Sequence, residues 1–425
     1  MLIGWRRRLT SLLTQAVRRW RWIVSVFLVA LMAGVGVWVS PHVRAWHHRR
    51  AARAEVLHYH NSQAIHHLLL CRAIWPRDPE ALLLSARAAR RAQVYGDSDL
   101  LLRMYRDVRG RDEAYTFEHL LLTAESHVDE VSETCWKCVE EGRFDGPLLM
   151  EALTRGYLRQ YRLGQARLCL NRWKELEPDN PQPFYLEGLF LLDYLHDSPD
   201  AVNSYRRAVE LDGDHEEARL GLAVALLECR NFAEATEHFE RLLRSQPEHP
   251  RVQVGVAECR NGSGDTAEAT RVVDEVLARY PNLSPALSLR GQLALKNGQW
   301  REAEVALKQA LRGNALDHRA RYSLVLCLEQ SGQEEAARRE RQQLHQMEQD
   351  VARFHEIVTK EIAERPTDPA LHCKLGQLLL RSGQYEEGVR WLQSALHLNP
   401  HYAPAQQALA ESLSQANGEV QPTSP

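Results

Sequence analysis

The sequence predicts an all-α protein, a stack of helical hairpins, on three observations. Ala201, Ala235, Ala269 and Ala303 recur every 34 residues, each a small residue near the start of a second helix. Prolines close the repeats at Pro247 and Pro281, with Pro178 and Pro400 in corresponding places. Within residues 216–249, Leu222, Ala223 and Leu226 share one helix face and Ala235, Phe239 and Leu242 share another; spacings of three, four and seven are those of an amphipathic helix. A fixed period of this length belongs to an array in which each hairpin buries its apolar face against the next.

The elements follow in order. Residues 1–21 carry six arginines with Leu9, Leu12, Leu13, Ala16, Val17 and Trp20 at helical spacing, a basic amphipathic leader suited to an anionic membrane face. From Trp22 through Val39 the chain is apolar, and no charge follows before Arg44. At about 1.5 Å per residue such a run nearly matches the hydrocarbon thickness of a bilayer. The expectation is a single transmembrane anchor at residues 22–40, with Trp22, Trp38 and Trp46 at the interfaces. A cleaved signal peptide also joins a basic leader to an apolar run, and a buried core helix is a third option. Against these stand the length of the run, the missing small-x-small site around Ala33 to Gly36, and the flanking arginines. The arginine excess before the span puts the N-terminus inside and the repeats outside, as expected of a single-pass protein of a bacterial inner membrane.

Residues 42–146 read as degenerate hairpins. Ala64, Leu68 and Cys71 lie on one face before Trp75 and Pro76, and 79–108 and 112–141 form two further irregular pairs. From Pro147 the period is regular, with one extra residue near Pro199, until it breaks after the copy beginning at His318; a final copy runs from Pro369 to Tyr402, and Gly298, Gly332 and Gly383 fall in the inter-helix turns. Residues 334–364 contain neither glycine nor proline and predict one long second helix. Its stripe of Leu344, Met347, Val351, Phe354, Val358 and Ile362 either packs on neighbouring helices or forms a short coiled coil with a second chain, which would make a homo-oligomer. Residues 403–414 read as a capping helix and 415–425 as a disordered tail.

The paired Leu375 and Gly376 with Ala395 and Pro400, Gly188 with Ala201, Tyr205 and Ala208, and Gly291 with Trp300, Ala303 and Ala310 resemble the tetratricopeptide repeat (TPR) family. The resemblance implies a right-handed α-solenoid preceded here by the transmembrane helix, and a scaffold that holds a protein or peptide partner in a concave groove lined by first helices. It further implies that Arg155, Arg159, Tyr185, Arg251, Glu258, Gln292, Lys296, Tyr322, Gln377 and Arg381 face that groove.

Charge and motifs narrow the function. Net charge is −3, yet residues 1–53 hold ten arginines and no acid, leaving 43 basic and 56 acidic residues in the remainder. An acidic body argues against a nucleic-acid surface, whose footprint is clustered and positive. There is no phosphate loop, nucleophile elbow or zinc-protease helix motif, so no enzyme activity, cofactor or catalytic residue is expected. Cys135 and Cys138 form the one close cysteine pair, without the second pair or histidines a zinc site needs. His42, His47, His48, His58, His60, His66 and His67 crowd the stretch after the apolar run. Metal binding and pH sensing are open to them, beside the plainer role of solvated residues near headgroups.

Overall fold

The structure is a computed structural model and describes residues 40–418 apart from Tyr161, His196 and Pro366. The expected leader, nearly all of the expected anchor and residues 419–425 lie outside the described residues. Among the described residues no helix is long and apolar enough to cross a membrane. Every regular element described is helical. The chain divides into two units, Met1–Trp136 and Lys137–Pro425.

In the first unit α1 (residues 40–57) pairs with α2 (Asn61–Ile74), α3 (Pro79–Arg91) with α4 (Tyr95–Arg109), and α5 (Glu113–Ser126) precedes α6 (Val128–Glu140), which runs on into the second unit. Ala45, Ala52 and Val56 of α1 pack on Ala64, Leu68 and Cys71 of α2, with Ala81 and Ala88 of α3 behind them. Leu82, Ala86 and Ala89 of α3 meet Leu101, Leu102 and Tyr105 of α4. The starts are set by local chemistry. The Asp78 and Asp112 side chains accept hydrogen bonds from first-turn N–H groups, and Pro79 sits where its missing N–H costs nothing.

The second unit repeats one plan. Its hairpins are α7 (Gly146–Arg159) and α8 (Leu163–Leu176), α9 (Pro181–Leu189) and α10 (Ser198–Leu211), α11 (Glu216–Glu228) and α12 (Phe232–Ser245), α13 (Pro250–Gly262) and α14 (Thr266–Arg279). They continue with α15 (Ser284–Lys296) and α16 (Trp300–Gly313), then α17 (His318–Gln330) and α18 (Glu334–Glu356). After a final turn α19 (Ile362–Glu364), the hairpin α20 (Pro369–Arg381) and α21 (Tyr385–Leu398) is followed by α22 (Ala403–Gly418). Each second helix packs on its own first helix, and α9, α11, α13, α15 and α17 also touch one another in sequence. That contact makes the first helices a row of their own.

Three local departures have physical reasons. The extra residue near Pro199 is absorbed upstream, where α9 continues into a π-turn at Phe190–Tyr194 that takes up one residue without breaking the phase. The long second helix is helical to Glu364 as expected, but a second π-turn at Ile357–Glu361 interrupts it. On its stripe Leu344, Val358 and Ile362 are buried, Met347 and Phe354 are half-buried, and Val351 alone is exposed. Half of the stripe is thus buried on its own chain. The capping helix, expected to end at 414, runs to Gly418. Ala405 and Ala408 anchor it against Cys373, Leu392 and Ala395, and extending a helix already nucleated fixes one residue for each bond gained.

Candidate functional site

All ten residues expected to line a binding groove stand on first helices of the second unit: Arg155 and Arg159 on α7, Tyr185 on α9, Arg251 and Glu258 on α13, Gln292 and Lys296 on α15, Tyr322 on α17, and Gln377 and Arg381 on α20. Their surroundings divide them. Arg251 and Lys296 are exposed and Tyr322 is 51% exposed, so these three have reach to spare for a partner. Lys296 donates to Asn261 Oδ1 at 2.6 Å, tying α15 to α13. Gln292 is half-buried and donates to Ser288 Oγ at 3.3 Å on its own helix, and Gln377 is half-buried on α20.

The other members are engaged. Arg155 is 13% exposed and lies 3.4 Å from the fully buried carboxylate of Glu151, and Arg159, one turn on, is half-buried. Tyr185 packs its ring 5.0 Å from His215 and 6.1 Å from Tyr205. Burial raises its hydroxyl pKa; Arg155 opposes that rise, while Glu217 and Asp193 add to it. Glu258 of α13 reaches across α15 to Arg319 of α17 at 3.9 Å. Burial pushes its carboxyl above the ordinary carboxylate value, Arg319 pulls it back, and Asp317 and Glu228 push it further up. Arg381 turns away from the row and bonds Asp350 of α18 at 2.9 Å. The structure therefore brings Tyr185, Arg155 and Glu217 together at one end and pairs Glu258 with Arg319 in the middle, while Lys296 is tied to Asn261 and Arg381 belongs to a different contact.

Glu217 and Arg319 were missed by the sequence reading, though the signal was there. Glu217, Arg251 and Arg319 hold the same position of the 34-residue repeat, the second residue of the first helix. Position in the repeat is what decides whether a side chain points along the row.

The two cysteines of the close pair, Cys135 and Cys138, are both buried on α6. Among the histidines, His48 and His67 face each other across α1 and α2 with Nδ1 atoms 3.1 Å apart, so one ring donates and the other accepts. Burial first, and then the neighbouring His67, His66, His47 and Arg44, hold the His48 pKa down. His42 accepts from Trp75 Nε1 at 2.8 Å and His60 bonds Glu55. Among the described residues no group of three or more histidine, cysteine or acidic side chains is placed to hold a metal ion.

Models of the tetratricopeptide repeat match residues 196–253, 230–293, 288–343 and 369–402. Mouse interferon-induced protein with tetratricopeptide repeats 3 is 24% identical over 220 residues, which is 50% of this chain and 45% of that protein. The TPR repeat-containing protein MJ1428 of Methanocaldococcus jannaschii is 24% identical over 169 residues, 37% of this chain and 30% of that one. The chain thus spans less than half the length of these curated relatives. A solved tetratricopeptide repeat protein from Parabacteroides merdae covers 79% of the chain and 98% of itself at 12% identity and a TM-score of 0.38. On the family models, residues 196–343 and 369–402 are tetratricopeptide repeats.

Proposed function

We propose that the chain is a scaffold that holds a protein partner along the first-helix row of residues 147–402, and that residues 22–40 keep it at a membrane. One observation carries the first part. The first helices α9 to α17 touch in sequence, and on α13, α15 and α17 they offer Arg251, Lys296 and Tyr322 with exposed polar ends that the core does not use. Such a row gives a segment of another protein several helices to contact at once, which is how a quasi-one-dimensional array makes an extended binding surface. The membrane part rests on the apolar run from Trp22 to Val39 and its flanking arginines.

The test is photo-crosslinking in native membranes from residues 251 and 322, with Val305 on the second helix α16, 66% exposed, as the control position. A partner captured at 251 and 322, absent at 305, and lost when Arg251→Glu and Lys296→Glu are combined supports the row as the binding face. Once that partner is in hand, Tyr322→Ala should weaken its affinity by about 2 kcal/mol, as truncating an interface aromatic does. Equal capture from all three positions would reject the assignment.

A further inference from the structure

Helix α1 presents two opposite faces. Ala45, Ala52 and Val56 point inward and are buried against α2. A turn of 3.6 residues sets Val43, Trp46, Arg50 and Leu57 on the other side, where Val43 is 46%, Trp46 42% and Leu57 69% exposed. His47 and Ala54 share that side and are exposed as well. The strip of Val43, Trp46, Arg50 and Leu57 carries no carboxylate; Glu55, the one acid of α1, lies on the flank of the helix three turns after Arg44 and bonds His60 Nδ1 at 2.8 Å.

The cations of α1 divide in the same way. Arg49 and Arg53 are tied to Asp78 and Glu80 of the following hairpin. Arg50 lies 5.7 Å from the Trp46 ring centroid, and Arg44 reaches the Ser40 carbonyl at 3.4 Å; neither pairs with a carboxylate among the described residues. A strip of exposed apolar side chains with a tryptophan and Arg50, and with Arg44 exposed on its flank, has the composition of a helix lying in a headgroup layer. The apolar residues 22–39 lead directly into α1.

We propose that the outward face of α1 rests on an anionic lipid surface, with Arg44 and Arg50 against phosphate groups and Val43, Trp46 and Leu57 at the acyl boundary. The proposal builds on the membrane anchoring put forward above and can fail separately from it. A membrane fits this face better than a second copy of the chain, since two such faces would set Arg50 against its own like charge with no acid on the strip between them.

The test uses the full chain with Cys229, the exposed one of its eight cysteines, replaced by serine, and a spin label placed through Val43→Cys, Leu57→Cys or Val305→Cys. Oxygen and a water-soluble nickel complex report depth in vesicles of phosphatidylcholine with and without phosphatidylglycerol. Labels at 43 and 57 should become oxygen-accessible and nickel-excluded with phosphatidylglycerol, and Arg44→Gln with Arg50→Gln should return them to water, while position 305 stays in water throughout. A chain that resists carbonate extraction yet keeps both labels in water overturns the proposal and leaves the anchor standing. Dipolar broadening between labels on different copies overturns it in favour of a second chain. A chain that does not stay with the vesicles at all removes the anchor and the proposal together.

Discussion

The two units join their first helices by different means. In the first, α3 and α5 are linked by charge: Arg90 and Glu125 are both fully buried and bonded to each other, and Arg87 Nε donates at 2.6 Å to Glu118, which is 2% exposed. In the second, helices meet through shape. A Cβ on Gly188 or Gly221 would come within 2.7 or 2.5 Å of the Tyr205 ring, so one tyrosine fills the space that two glycines leave. The Phe239 ring lies over Gly255 in the same manner, and Leu307 and Leu392 over Gly291 and Gly376. Fit by size repeats from hairpin to hairpin, whereas an ion pair is a single solution at a single place.

The largest effect should come from splitting the buried pair. Glu125→Leu leaves the Arg90 charge without its carboxylate in a dry site, and the expected loss is about 3–5 kcal/mol. Adding Arg90→Met should recover most of it, because two apolar groups need no mutual compensation. Urea unfolding followed by hydrogen exchange of residues 79–126 checks this. If the double variant is as weak as the single one, shape rather than charge holds this unit as well, and the contrast between the two fails.

A smaller effect belongs to the other unit. Gly221→Ala drives a methyl into the Tyr205 ring and should cost about 1–3 kcal/mol, the usual range for overpacking. Gly164→Ala on α8 meets nothing within 4 Å and should be neutral or slightly stabilising. Tyr205→Leu should relieve part of the strain in the Gly221→Ala background. Equal thermal shifts for the two glycine variants would show that the spacing of glycines has nothing to do with the ring beside them.

The same contrast explains what could be read beforehand. Small residues under large ones at period 34 marked the hairpins from Pro147 onward, and those boundaries agree with the helices found. In the first unit the period persists under other residues. Tyr59 and Gln93 occupy the left-handed turn between helices at φ 61° and 62°, 34 residues apart, just as Arg230 at 61° stands in series with Gly264, Gly298 and Gly332. Glycine advertises that conformation and tyrosine, glutamine or arginine conceals it, since none of them favours positive φ. Ser98 likewise replaces the alanine that Ala64 predicts, and it is buried by donating to the Ala86 carbonyl. The residues expected to line a groove all fall on first helices, as their register implies. Arg155 meets Glu151 four residues earlier on its own helix, a pairing that spacing could have shown. That Arg381 is spent on Asp350 depends on a contact between hairpins that spacing does not encode.

The smallest effect sharpens the comparison at Glu258. Glu118 and Glu125 each have an arginine bonded to them, whereas Glu258 has Arg319 at 3.9 Å, 57% exposed, with Asp317 and Glu228 also bearing on it. Its pKa is raised in the folded chain, mainly by burial. The folded state therefore binds more proton than the unfolded one just above the ordinary carboxyl value, and stability falls as pH rises through that window. Glutamine does not titrate, so the melting temperature of Glu258→Gln relative to the unchanged chain should move upward between acid and neutral pH. A shift in the opposite direction would mean that Arg319 outweighs the burial, with Glu258 held in a true ion pair. The row of first helices would then use charge as α3 and α5 do, and Glu258 would be a structural residue with nothing left to offer a partner.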